Sequence, residues 1–195
     1  AGFIAIYDIS KQSLLARVPL PHGQSALSVS LGYDGYLAAI GTDKAKIHFV
    51  DLRRAVSQNG GGGDNGGQQQ SLIVGSYVDT HTAEVTRVRF AASSSSRTIL
   101  LSGGEDGLVC CWDTTQPSEE AAIRAILNVG SPLRQIGFCG NNTNMIYCLT
   151  GSETASLWDV ESGQCLTDLH GFQLRQHLSE QSGGQLVVDY LVDAV

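Results

Sequence analysis

Among the places where an apolar or aromatic residue closes a short hydrophobic run and is followed by aspartate, four are spaced through the chain: Tyr7-Asp8, Val50-Asp51, Trp112-Asp113 and Trp158-Asp159. Tyr7 lies 43 residues before Val50, and Trp112 lies 46 before Trp158. The interval from Val50 to Trp112 is 62, but it holds the low-complexity stretch Val56–Gln70, and without those 15 residues it shrinks to 47. A self-similar period in the mid-forties constrains the fold more than any other feature here. It has room for about four strands with their turns, the unit from which radial β-architectures are built.

Inside each period the pattern is equally regular. Ala26-x-x-Val29-x-Leu31, Val85-x-x-Val88-x-Phe90 and Leu133-x-x-Ile136-x-Phe138 each space apolar residues by three and then two. A regular strand alternates by two throughout, so the longer first step predicts a β-bulge near the start of each strand. Second runs follow and end in small residues: Leu37–Thr42, Leu100–Gly103 and Ile146–Gly151. Third runs end on the aspartate pairs, and fourth runs follow at Leu14–Val18, Leu72–Tyr77, Ala121–Leu127 and Cys165–Leu169. The stretch Ala121–Leu127 has helix-forming composition, but its place in the period predicts a strand. Within Thr98–Asp113, two apolar runs flank Gly103-Gly104-Glu105-Asp106-Gly107, a β-hairpin signal.

Composition excludes several functional classes. The 195 residues are 42% apolar, enough for a core, but no run approaches the ~20 apolar residues of a membrane helix. With 19 acidic and 12 basic residues, the net charge of −7 disfavours binding to the nucleic-acid backbone. Cys110, Cys111, Cys139, Cys148 and Cys165 form no C-x-x-C pair, and their number is odd. Reduced thiols in an intracellular protein of cytoplasm or nucleus are therefore expected, rather than zinc or a disulfide framework. The Gly/Gln-rich insert 56–70 and Ser93–Ser96 read as loops too polar to order themselves. Both ends fall in strand-like sequence, Phe3–Ile9 and Leu186–Val195, so the chain is expected to be a piece of a longer one.

The unit containing His81, Val85, Val88, Phe90, Ser102, Gly103, Asp106, Gly107, Trp112 and Asp113 resembles the WD-repeat β-propeller family, and the resemblance extends over nearly the whole chain. It implies an all-β, single partial β-propeller over 1–195. About three four-stranded blades would be complete, with partial blades at both ends of a ring that in this family usually has seven. Residues 1–20 would end one blade, and 21–78 would form a blade carrying the disordered insert. Residues 79–129 would form the best blade, 130–170 a degenerate one, and 171–195 a linker and the start of another. Closure of the ring would come from missing blades of the same chain. Val50 stands where the family has Trp, and the third unit has Ser131 near the expected histidine and no turn aspartate. Those two blades are expected to be held less rigidly.

The resemblance also assigns roles. Trp112, Ser102, His81 and Asp106 would form a buried hydrogen-bonded chain that locks the best blade. The same Ser102, His81 and Asp106 are the residue types of a hydrolase triad. That alternative is weak, because Leu100 and Gly104 flank Ser102 where a nucleophile elbow would need two glycines. The glycine-rich turn lacks the Lys-Ser/Thr of a phosphate-binding loop. His22, His48, His170 and His177 show no metal-ligand spacing, although His22 is placed to serve its blade as His81 does. No catalytic, cofactor or metal site is therefore expected.

The expected function is that of a non-enzymatic scaffold binding other proteins or peptides. The family positions projecting from one face would be Thr42, Glu84, Thr86 and Glu105, whose acidity suits a basic peptide. An alternative comes from Val50-Asp51-Leu52-Arg53, which resembles, with Val for Trp, the Trp-Asp-x-Arg signature of substrate receptors for cullin-four ubiquitin ligases. Arg53 would then contact the ligase adaptor.

Overall fold

A computed structural model describes residues 2–54, 72–92, 98–140, 142–170 and 180–181. The insert 56–70, Ser93–Ser96, the strand expected at Leu186–Val192, and His177 lie outside the described residues. The first half contains β1 (Phe3–Asp8), β2 (Ser13–Pro19), β3 (Ala26–Leu31), β4 (Leu37–Thr42), β5 (Ile47–Asp51) and β6 (Ile73–Tyr77). Next come β7 (Val85–Phe90), β8 (Ile99–Gly104), β9 (Leu108–Asp113), the one-turn helix α1 (Glu119–Ala122) and β10 (Ile123–Asn128). The last four strands are β11 (Leu133–Cys139), β12 (Asn142–Thr150), β13 (Thr154–Asp159) and β14 (Cys165–His170).

Strands pair with their chain neighbours. The pair β1-β2 stands alone, and β3 to β6, β7 to β10 and β11 to β14 form three four-stranded sheets. All pairings are antiparallel. The first strand of each sheet carries the bulge that its spacing predicted, with register shifts at Ala26/Ser28, Val85/Arg87 and Leu133/Gln135. A one-residue insertion restores the inward face after the three-residue step.

The sheets stack as blades, with their first strands side by side: β3 contacts β7, and β7 contacts β11. Hydroxyl groups bridge them, Ser28 Oγ accepting from the Val88 amide at 3.1 Å and Ser30 Oγ from the Phe90 amide at 2.9 Å. The middle strands of the first two four-stranded sheets are covered on both faces, and every residue of β8 is buried. That is why these strands read as continuous apolar runs rather than alternating ones. One core, with Ile47, Phe49, Tyr77, Val85, Val88 and Trp112, fills the space between the first two four-stranded sheets. Another, with Leu101, Val109, Leu133, Ile136 and Ile146, joins the second sheet to the third. Each such side chain contributes roughly 1.5–3 kcal/mol by leaving water.

The small residues ending the second strands permit this approach. A Cβ on Gly41 would lie 2.6 Å from Val85 O, and one on Gly103 would lie 3.2 Å from side-chain atoms of Leu133 and Ile136. Glycine there lets the next blade's first strand sit against the backbone.

One strand expectation needs correction. Ala121 and Ala122 belong to α1, and β10 begins only at Ile123. Ser118 caps the turn, its Oγ accepting from the Ala121 amide at 3.2 Å. With that cap and two glutamates ahead, helical propensity wins for one turn before the sheet takes over.

Candidate protein-interaction face

The second four-stranded sheet brings together the four side chains of the expected lock. Trp112 Nε1 donates to Ser102 Oγ at 2.9 Å, Ser102 Oγ lies 2.8 Å from His81 Nε2, and His81 Nδ1 lies 3.0 Å from Asp106 Oδ2. Indole can only donate, so Ser102 accepts from it and its own proton goes to Nε2. The Nδ1 proton is then left for the carboxylate. Asp106 also accepts from the amides of Thr82 and Leu108, tying the strand-entry loop to the hairpin turn. Ser102 and Trp112 have no exposed surface. With its hydroxyl enclosed and saturated, Ser102 offers no approach to a scissile carbonyl.

The same junction is built differently in the neighbouring sheets. In the first, His48 Nε2 lies 2.7 Å from Gln24 Oε1 and Nδ1 lies 2.7 Å from Ser76 Oγ. Burial, with nearby Lys46, pushes the pKa of His48 down, favouring the neutral ring. His22, the candidate for this role, is exposed. The serving pair is Gln24 and His48, because the imidazole comes from the third strand instead of the entry loop. In the third sheet Thr150 closes the turn through Thr154, with Oγ1 atoms 2.6 Å apart and the Thr154 amide at 3.1 Å. Trp158 Nε1 reaches only Ser156, two residues away.

These junctions support one end of the sheets, where a recurrent clamp joins each hairpin turn to the entry of the first strand. The amides of Asp43, Glu105 and Gly151 donate to the carbonyls of Ser25, Glu84 and Pro132, at 3.1, 2.9 and 2.8 Å. Glu84 and Glu105 are therefore neighbours, and both are exposed. Thr86 is half-buried, its Oγ1 donating to Leu133 O at 2.7 Å. Thr42 is a correction. It is wholly buried, and its Oγ1 donates to Lys46 O and accepts from the Lys46 amide, so it closes the turn instead of facing a partner. The polar group at that corner is Asp43, whose carboxyl is held low by the Ser25 amide and by Lys44.

Two residues of this end escaped the sequence reading. Leu27 and Arg134 are the bulge residues of β3 and β11, equivalent to Thr86 in β7, and both are exposed. Their signal was the three-then-two spacing itself, since the skipped residue is the one that the bulge turns outward.

Comparison with known proteins agrees with this geometry. No family model matches the chain. Over 193 residues it is 32% identical to WD repeat-containing protein GTS1 of Arabidopsis thaliana, a match covering 98% of this chain and 44% of that protein. It is also 30% identical over 116 residues to WD repeat-containing protein 89 homolog of Dictyostelium discoideum, covering 60% of this chain and 31% of that one. Over nearly its whole length the chain is thus similar to WD-repeat proteins, and its sheets are blades of a β-propeller. It spans less than half the length of these curated relatives. Among solved structures, a chain of the mitotic checkpoint complex superposes with a TM-score of 0.68 at 17% identity, over 87% of this chain and 45% of that one, which establishes the shared fold.

Arg53 lies at the opposite end of its blade, where β5 leaves the sheet beside the loop before β4. It is exposed, paired with Asp51 through Nε at 3.0 Å and Nη2 at 2.8 Å, and its guanidinium sits 5.0 Å from the Tyr36 ring centroid. The Arg53 hydrogen bond drives the Asp51 pKa down to about 2. The five candidate residues therefore fall on two ends of the propeller, with Glu84, Thr86, Glu105 and buried Thr42 at one and Arg53 at the other. Among the described residues no cluster of His, Cys, Asp and Glu could hold a metal ion, and no helix is long and apolar enough to cross a membrane.

Proposed function

We propose that this part of the protein is an interaction scaffold, and that the end bearing Leu27, Thr86 and Arg134 is its docking face. The observation supporting this reading is the repetition. Three blades place a bulge residue and a clamped turn at the same corner, over junctions whose polar groups are already satisfied. Such an arrangement presents variable side chains on a fixed frame, as scaffolds do. Glu84 and Glu105 make the second corner acidic, favouring a partner segment that carries Lys or Arg. The test is quantitative affinity purification of the full-length protein against a Glu84→Arg/Glu105→Arg double variant. A defined subset of co-purifying proteins should be lost while circular dichroism and melting temperature stay unchanged. An identical set from both forms would refute the assignment of this face.

A second reading rests on Arg53, which Asp51 and Tyr36 contact at the other end. It makes the protein a substrate receptor of a cullin-four ubiquitin ligase. Co-purification of the damaged-DNA-binding adaptor, lost in Arg53→Ala, would support it. Absence of the adaptor from the wild-type purification would dismiss it.

A further inference from the structure

The rim of the propeller carries a feature that the docking face does not explain. The last strand of each sheet is an edge that could template an intruding strand, and edges are commonly protected by charge or proline. β2 carries Arg17 and Pro19, β10 carries Arg124, and β14 carries Asp168. β6, Ile73-Val-Gly-Ser-Tyr77, carries neither. It is the outermost strand of its sheet, and no strand pairs on its outer side among the described residues.

Beside β6 a groove opens between its blade and the Thr114–Glu119 segment of the next. Its cause is Gly75, which pairs with Phe49 on the blade face that also holds Leu37 and Tyr77. A Cβ at Gly75 would meet only Phe49 Cδ2, at 3.8 Å. The groove is thus the space that a side chain at 75 would fill. Phe49 and Leu37 wall it on one side and Pro117 on the other. Tyr77 stacks on Trp112, with ring centroids 4.5 Å apart, and so fixes the wall rigidly.

Among the described residues, Glu119 supplies the only charge lining the groove. Partial burial would raise its pKa, but hydrogen bonds from the Val78, Asp79 and Thr80 amides and the Thr80 hydroxyl outweigh this and hold it down. The carboxylate is therefore a fixed negative charge.

We propose that this groove binds an extended segment of a partner protein that adds a strand to the edge of β6. The segment lays an apolar side chain over Phe49 in the notch left by Gly75 and places a Lys or Arg toward Glu119. Backbone pairing would supply affinity, and the notch and the charge would supply specificity. Glycine in a strand often marks such a close backbone approach. This site is separate from the docking face proposed above and does not depend on it.

The test uses the full-length protein and a random-sequence peptide display library. Enriched peptides should share an apolar residue near a basic one, and fluorescein-labelled copies should bind wild type with measurable affinity. Gly75→Val, which fills the notch, and Val74→Lys, which gives β6 the charge the other rim strands carry, should each weaken binding about tenfold or more. Both should keep the wild-type melting temperature, since Gly75 is uncrowded and Val74 is 45% exposed. Glu84→Arg/Glu105→Arg should bind these peptides normally. Failure to enrich peptides, acidic enriched sequences, or equal binding to Gly75→Val and Val74→Lys would overturn the proposal. Concentration-dependent dimerisation of wild type, abolished by Val74→Lys, would overturn it too, by making a second copy the occupant.

Discussion

Replacing Ser102 by alanine tests the lock where its geometry is tightest. The Ser102 hydroxyl is the partner of both Trp112 Nε1 and His81 Nε2, at 2.9 and 2.8 Å, in residues that are 0% and 5% exposed. Ser102→Ala leaves two buried polar groups without a partner. Each such loss costs about 1–3 kcal/mol, giving roughly 2–6 kcal/mol in all. That is a large share of a typical domain stability of about 5–15 kcal/mol. The assay is urea denaturation followed by circular dichroism, with Trp112→Phe and the double variant completing a cycle. Once Trp112 no longer donates, removing Ser102 should cost less, so the two changes should be non-additive by about 1 kcal/mol. A Ser102→Ala loss below about 0.5 kcal/mol with additive behaviour would refute the lock, because surface-like substitutions fall in that range. Unchanged stability with loss of a hydrolytic activity would revive the triad.

His48 predicts a pH response. Its folded pKa lies below the ordinary histidine value, so the unfolded chain binds more protons between the two. The stabilisation from neutral His48 is complete above about pH 6.5 and is lost as pH falls through the lower folded value. Urea midpoints should drop between about pH 7.5 and about pH 5.5, and His48→Gln should flatten that drop. Burial pushes the Cys110 and Cys148 thiols up to about 12 and Cys111 up to about 11, while Cys165 is exposed. Iodoacetamide mass mapping should find Cys165 modified in the native protein and Cys110, Cys111 and Cys148 modified only in denaturant. Gly41→Ala would press a Cβ against Val85 O at 2.6 Å and should lower stability by about 1–3 kcal/mol. An unchanged denaturation midpoint would show that blades one and two are not packed this closely.

The fold was legible because its repeat is written in strand periodicity. The skipped residue in each first strand marked the bulges at Ala26/Ser28, Val85/Arg87 and Leu133/Gln135. The lock of the second blade was legible because its members match a familiar pattern. The first blade's equivalent was not, because Gln24, His48 and Ser76 come from three separate segments and only the register of β5 with β6 brings the last two together. Position in a repeat likewise failed for Thr42. A threonine at a hairpin turn can face outward or bond its own turn, and the four-residue separation from Lys46 decides for the latter. Thr150 and Thr154 repeat that spacing in the third blade. Two threonine turns and one aspartate turn are thus alternative answers to one requirement, that the hairpin's polar backbone be satisfied.

That equivalence separates what the blades share from what distinguishes them. All three close the same corner with an amide-to-carbonyl clamp. Beneath it, one uses a neutral histidine between Gln24 and Ser76, the next a histidine on Asp106, and the third hydroxyls alone. Weak likeness to the family pattern therefore does not mean a missing junction, and the expectation that the first and third blades are held less rigidly finds no support in their hydrogen bonding. The blades should differ in how they respond to conditions. Acid selectively burdens the first, because protonated His48 would lose its acceptor for the Ser76 hydroxyl. The third, built from groups that do not titrate, should keep its turn across the same range. Amide exchange measured blade by blade would separate the two: slower protection loss at Ile47–Phe49 than at Leu149–Ala155 on acidification would contradict this division of roles.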